Sequence, residues 1–116
     1  MSTDTKWIKN IDFAVPLDIA EQVQYLDGQI VSKTLAQNDA VSLTLFAFEQ
    51  GEEISTHESE GDAMVVALDG RGEITIAGEK FALEAGRTIV MPSRTPHAVR
   101  AVERFKMFLI VVFPQP

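Results

Sequence analysis

The chain has 116 residues, 46% hydrophobic and 23% charged, with ten Lys and Arg against seventeen Asp and Glu for a net charge of −7. That length suits one domain with its own core, residues 1–116, and an acidic chain without a basic stripe is unsuited to nucleic acid. The absence of cysteine excludes a disulfide scaffold, a thiolate metal site and a cysteine nucleophile.

The N-terminal stretch "MSTDTKWIKNIDF" has no apolar signal core, and the longest apolar run, "MFLIVVF" at 107–113, is far too short to span a membrane. A soluble cytoplasmic protein with no membrane contact is therefore expected. Along the chain, "PLDIAEQV" (16–23) is the one helical candidate, and it reads equally as strand and turn. From there the period is two. "VSLTLFAF" (41–48) sets Val41, Leu43, Leu45 and Ala47 against Ser42, Thr44, Phe46 and Phe48; "EITIAG" (73–78) and "KFALE" (80–84) alternate likewise.

Turn signals recur at Asp27-Gly28, Gln50-Gly51, Glu60-Gly61-Asp62, Asp69-Gly70, Ala77-Gly78, Ala85-Gly86, Pro92-Ser93 and Thr95-Pro96. About ten short strands with tight turns predict an all-β sandwich or barrel. "AMVVAL" (63–68) and "MFLIVVF" are apolar at consecutive positions, so both their faces should be buried. One face would line the barrel; the other needs a cover, either the segment around Trp7 to Val15 or a second subunit. A homodimer is the expected assembly.

Two spacings carry a resemblance. Residues 51–70 run Gly51, five residues, His57-x-Ser59, then Met64, five residues, Gly70. Residues 86–101 run Gly86, five residues, Pro92-x-Arg94, two residues, His97, three residues, Ala101, with fifteen residues between the two stretches. This pattern resembles the two motifs of the small single-domain cupins, the RmlC-like barrels. The resemblance implies a double-stranded β-helix, a cupin jelly-roll barrel. It also implies a metal held by four ligands: two His and a Glu of the first motif, and the His of the second. Carried over, His57 and His97 are present. Ser59 stands at the second His, and Met64, or Ala63 if the gap is counted one shorter, stands at the Glu. Arg94 replaces a Gly.

Residues two apart on a strand share a face. His57 and Ser59 should therefore share a face, continued after the turn by Met64, Val66 and Leu68, and the resemblance to the cupin jelly roll implies that this face meets that of His97 and Val99 inside the barrel mouth. Two imidazoles leave a divalent transition metal incompletely held, since catalytic zinc sites keep three protein ligands. Asp62 is the nearest hard donor able to complete the shell, although an acid after Gly61 also suits a turn. Arg94 is either a carboxylate clamp or a surface charge.

Two functions stay open. In one, the barrel binds a small, mainly apolar molecule in a pocket lined by His57, Ser59, Met64, Val66, Arg94, His97 and Val99, without a metal. In the other, the chain is a metal-dependent isomerase, lyase or oxygenase acting on a small organic acid. There His57 and His97, with Asp62, hold one divalent ion.

Overall fold

The computed structural model describes residues 6–116. Seven strands form one antiparallel sheet: β1 (Ile30–Gln37), β2 (Val41–Phe48), β3 (Glu53–His57), β4 (Asp62–Ile76), β5 (Glu79–Glu84), β6 (Thr88–Met91) and β7 (His97–Val112). The order is β1-β2-β7-β4-β5, with β3 also paired to β7 and β6 to β4. The candidate helix is one 3-10 turn, Ile19–Gln22, started by Asp18, whose carboxylate accepts from the Ala20 N–H.

Two long strands organise the fold. β4 and β7 pair along most of their length, but the register slips between Ala67 and Asp69 and again between Gly70 and Gly72. These bulges bend the pair, so that its two halves join different leaves of a folded sheet. One leaf is β1, β2, the C-terminal half of β7, the N-terminal half of β4, and β6. The other is β3, the remaining halves of β7 and β4, and β5. The barrel interior lies between them. Seven strands stand where about ten were expected, and one of the merged pairs is β4, where Asp69-Gly70 makes a bulge inside a strand rather than a turn. Gly70 has φ +71, and a β-carbon there would lie 1.6 Å from the Arg104 carbonyl oxygen, so only glycine fits the bend.

The interior is filled by Phe48, Ala63, Val65, Ile74, Phe105 and Met107, all at most 2% exposed. The rings of Phe48 and Phe105 pack at a centroid distance of 6.0 Å, tilted by 47°, within the range of favourable aromatic pairs. The expected phase of "AMVVAL" is corrected here: Ala63, Val65 and Ala67 face inward, while Met64, Val66 and Leu68 lie on the outer face.

On that outer face a second cluster forms. Leu45, Ala47 and Leu35 are covered by Val23, with Ile11, Tyr25, Leu68 and Phe108 packed against them. The segment before β1 is pinned there by polar contacts. The Tyr25 hydroxyl donates to Asp69 at 2.5 Å, and Lys106 Nζ donates to the Ala20 carbonyl at 2.6 Å. Lys106 and Arg104 both sit over the Tyr25 ring, at 4.9 and 5.2 Å. Burial, with the Asp69 carboxylate beside it, pushes the Tyr25 hydroxyl well above the usual phenol range. Tyr25 therefore stays a neutral donor.

Candidate functional site

The first residues of β7 and the end of β3 bring the two histidines together. His57 lies opposite His97 in the β3–β7 pairing, and Ile76 lies opposite His97 on its other side. One row beneath, Val99 stands between Ile54 and Ile74. The site is thus a row of two imidazoles and an isoleucine above an apolar row, at one end of the barrel. His97 is 2% exposed, whereas His57 is open to solvent. The slip in β3 between Ile54 and His57 turns both of these residues toward the same side despite their odd spacing.

The ring nitrogens define the chemistry. His57 Nδ1 lies 2.8 Å from the Ser55 carbonyl, and His97 Nδ1 lies 3.0 Å from the Thr95 carbonyl. A carbonyl only accepts, so each Nδ1 carries the proton and donates it. In its neutral form each ring then presents a bare lone pair at Nε2, and the two Nε2 atoms face one another at 3.2 Å. Two lone pairs at that distance repel unless something positive is shared between them: a proton, a cation, or a polarised N–H or O–H of a ligand on their bisector. Burial, more than the nearby charge of His57, pulls the His97 pKa below its ordinary value, against the opposing effect of the Thr95 carbonyl.

The other expected residues are placed elsewhere. The Ser59 hydroxyl accepts from the Gly61 N–H at 3.2 Å, and its carbonyl accepts from the Arg94 N–H at 2.7 Å, so Ser59 stitches two loops together. Asp62 accepts from the Ser93 N–H at 2.9 Å and ties the same loops. Arg94 has φ +55, the left-handed conformation that a glycine would take freely. Its side chain pairs at 3.2 Å with Glu60, both more than 70% exposed, which contributes little. Met64 and Val66 are on the outer face, outside any pocket in the barrel. Of the expected lining, only His57, His97 and Val99 come together. Ile54 and Ile76 join them, and their signal was alternation: Ile54 is the only apolar residue of "GEEISTH", and Ile76 continues the phase of Ile74.

The donor set can be tested against a metal. Two imidazoles bound to one tetrahedral ion at about 2.0–2.1 Å would hold their nitrogens roughly 3.3 Å apart, so the observed 3.2 Å is a suitable bite. Beyond that pair the fit fails. The inward position beside the turn is Ala63, a methyl group, and among the described residues no group of three His, Asp or Glu converges. Two shallow clefts of about 300 Å³ lie away from the histidines, sharing Glu60, Phe113 and Pro114 in their walls.

Comparison with known proteins agrees with this architecture. Residues 44–113 match the cupin domain family model. A conserved protein of unknown function from Streptococcus pyogenes is 43% identical, with 98% of this chain and 100% of that one covered and a TM-score of 0.95. A cupin superfamily protein from Desulfitobacterium hafniense is 33% identical, with 92% and 98% covered and a TM-score of 0.88. A cupin 2 conserved barrel domain protein from Leptotrichia buccalis is 41% identical over 80% of this chain and 45% of that one, with a TM-score of 0.79. No curated protein sequence matches. With the motif spacing, the folded sheet and the family match in agreement, the chain belongs to the cupin domain family.

Proposed function

We propose that the chain is a small-molecule-binding cupin without a resident metal, and that its ligand is a small, mainly apolar molecule bearing one hydrogen-bond donor. The facing Nε2 pair carries this reading: both Nδ1 atoms are committed to backbone carbonyls, so both Nε2 atoms accept. The proton of a hydroxyl or amine on the bisector is shared by both lone pairs in a three-centre bond, while Ile54 and Ile76 meet the apolar remainder. A cytoplasmic setting and assembly as a homodimer belong to the same reading.

A second reading rests on the 3.2 Å bite: the pair holds a divalent ion whose remaining ligands come from an organic acid, as in a metal-dependent isomerase, lyase or oxygenase. Long-range proton–nitrogen NMR separates the two, and with two histidines in the chain each ring is resolved. Titration with small alcohols and amines should shift both Nε2 resonances together at constant Nδ1. If no donor compound moves them while zinc does so at micromolar concentration, the first reading fails and the second gains.

A further inference from the structure

The inner face of the first leaf is sealed on one side only. Its pairings align Ser32 with Phe46 and Met107, Thr34 with Thr44 and Leu109, and Ser42 with Val111. Residues directly opposite on paired strands share a face. Met107 and Val111 belong to the barrel core, with Phe46 and Leu109 packed against it, so the four hydroxyl residues of β1 and β2 point inward as well. Where β4 and β7 form the wall the interior is closed, with Val65 and Met107 at most 1% exposed. Along β1 and β2 it is open: Ser32 is exposed, and Thr34, Ser42, Thr44 and Phe46 are half-buried. Among the described residues, the Ser and Thr hydroxyls bonded to protein groups are those of Ser59, Thr88 and Thr95. The four inward hydroxyls are unengaged.

This open stretch lies across from the histidines. β7 runs through both leaves and bends between Ala101 and Phe105, where its pairing with β4 slips. Leu109 stands as far beyond Phe105 as His97 stands before Ala101. Folding the sheet at that bend therefore sets the row of Leu109, Thr44 and Thr34 opposite the row of His97 and His57. His97 is 2% exposed, and among the described residues its Nε2 meets only the Nε2 of His57, so it is a buried acceptor without a donor. Charge narrows what can fill the gap. Lys33 and Lys106 lie on the outer face, opposite Leu45 and Ala47, and Arg94 pairs with Glu60. Glu58 adds negative charge near His97. A carboxylate between the two rows would meet hydroxyls and imidazoles but no paired cation, and burying it so is costly.

We infer that the ligand of the histidine pair is an uncharged hydroxy-carbonyl compound whose far oxygen is taken up by the hydroxyls of Thr34 and Thr44. Its own hydroxyl proton goes to the two Nε2 atoms, a threonine proton goes to its carbonyl oxygen, and its apolar middle lies among Ile54, Phe46 and Leu109. The inference rests on the small-molecule-binding reading and names the other end of the ligand.

NMR titration of the full chain with phenol, para-hydroxyacetophenone and para-hydroxybenzoate at neutral pH tests it, with the histidine Nε2 resonances as the readout. The ketone should bind about tenfold more tightly than phenol, the increment of one hydrogen bond, and the benzoate no more tightly than phenol. The double variant Thr34→Val, Thr44→Val keeps the branched side-chain shape and suits a strand. It should hold phenol as the wild type does and lose the advantage of the ketone. If none of the three compounds moves the Nε2 resonances, the histidine reading and the inference fall together. If phenol moves them and the ketone binds no tighter, the inference alone is overturned, and this wild-type comparison stands whether or not the variant folds. An advantage of the ketone that the double variant keeps overturns the threonine contact, and a benzoate that binds tightest overturns the uncharged ligand.

Discussion

Replacing Gly70 by Ala should be far more damaging than replacing Gly78 by Ala, although the two glycines have similar backbone conformations, φ +71 and +83. The conformational cost of alanine at positive φ is therefore common to both, about 1 kcal/mol. The surroundings differ. A β-carbon at Gly78 meets nothing within 4 Å, whereas at Gly70 it falls 1.6 Å from the Arg104 carbonyl oxygen and 2.8 Å from its carbon. Those atoms are backbone, held by the Gly70–Phe105 register of β4 and β7, and cannot swing away as a side chain could. Relief requires the long strands to part at their bend, where Phe105 enters the core. Overpacking of that kind adds about 1–3 kcal/mol or more, so Gly70→Ala should lose roughly 2–4 kcal/mol out of the 5–15 typical of a domain. Urea denaturation of both variants, followed by far-ultraviolet circular dichroism, measures the difference. Equal losses within about 0.5 kcal/mol, the resolution of such comparisons, would refute the account of the bend.

Other expectations follow from the site and the outer face. Arg94→Gly should be neutral to slightly stabilising, by about 0.5 kcal/mol, because relief of the left-handed arginine outweighs an exposed ion pair; a loss above roughly 1 kcal/mol in thermal melts would show that Arg94 contributes more than its Glu60 contact. Tyr25→Phe should cost about 1.5–3 kcal/mol, the range for a hydrogen bond to a charged group, and speed amide exchange in residues 19–26; unchanged exchange there would mean that Tyr25 does not pin the segment. The pKa of His97 is lowered on folding from its ordinary 6.5, so the unfolded chain binds the proton first as pH falls. The contribution is thus fully present above pH 6.5 and is lost on acidification through the lower folded value. Stability measured stepwise from pH 7 to 5 should fall, and His97→Gln should flatten that slope; an unchanged slope in the variant would assign it to other groups.

The sequence made the barrel legible for physical reasons. Alternation in "VSLTLFAF" and "EITIAG" marks strands with two unlike faces, and the spacings around His57 and His97 brought those residues to one end of the barrel. What it could not provide was the phase of "AMVVAL". An apolar run buried on both sides has no alternation to read, and the turn at Glu60 to Asp62 decides whether Ala63 or Met64 points inward. A small alanine gives no signal of being the inward residue. Asp69-Gly70 misled for a related reason, since a bulge and a turn both need a glycine at positive φ, and only the partner strand distinguishes them. Ser59, Asp62 and Arg94 sit in loops whose hydrogen bonds are non-local, so their roles in stitching residues 58–62 to 92–96 had no local sequence signature.

The central claim is that His57 and His97 face one another as a pair of acceptors for a ligand donor rather than as half of a resident metal site. Elemental analysis of untagged protein, purified without chelator beside the His57→Ala, His97→Ala double variant, tests it most directly. The account predicts transition metal far below one equivalent in both proteins. About one equivalent of a transition metal in the wild type, lost in the double variant, would contradict it.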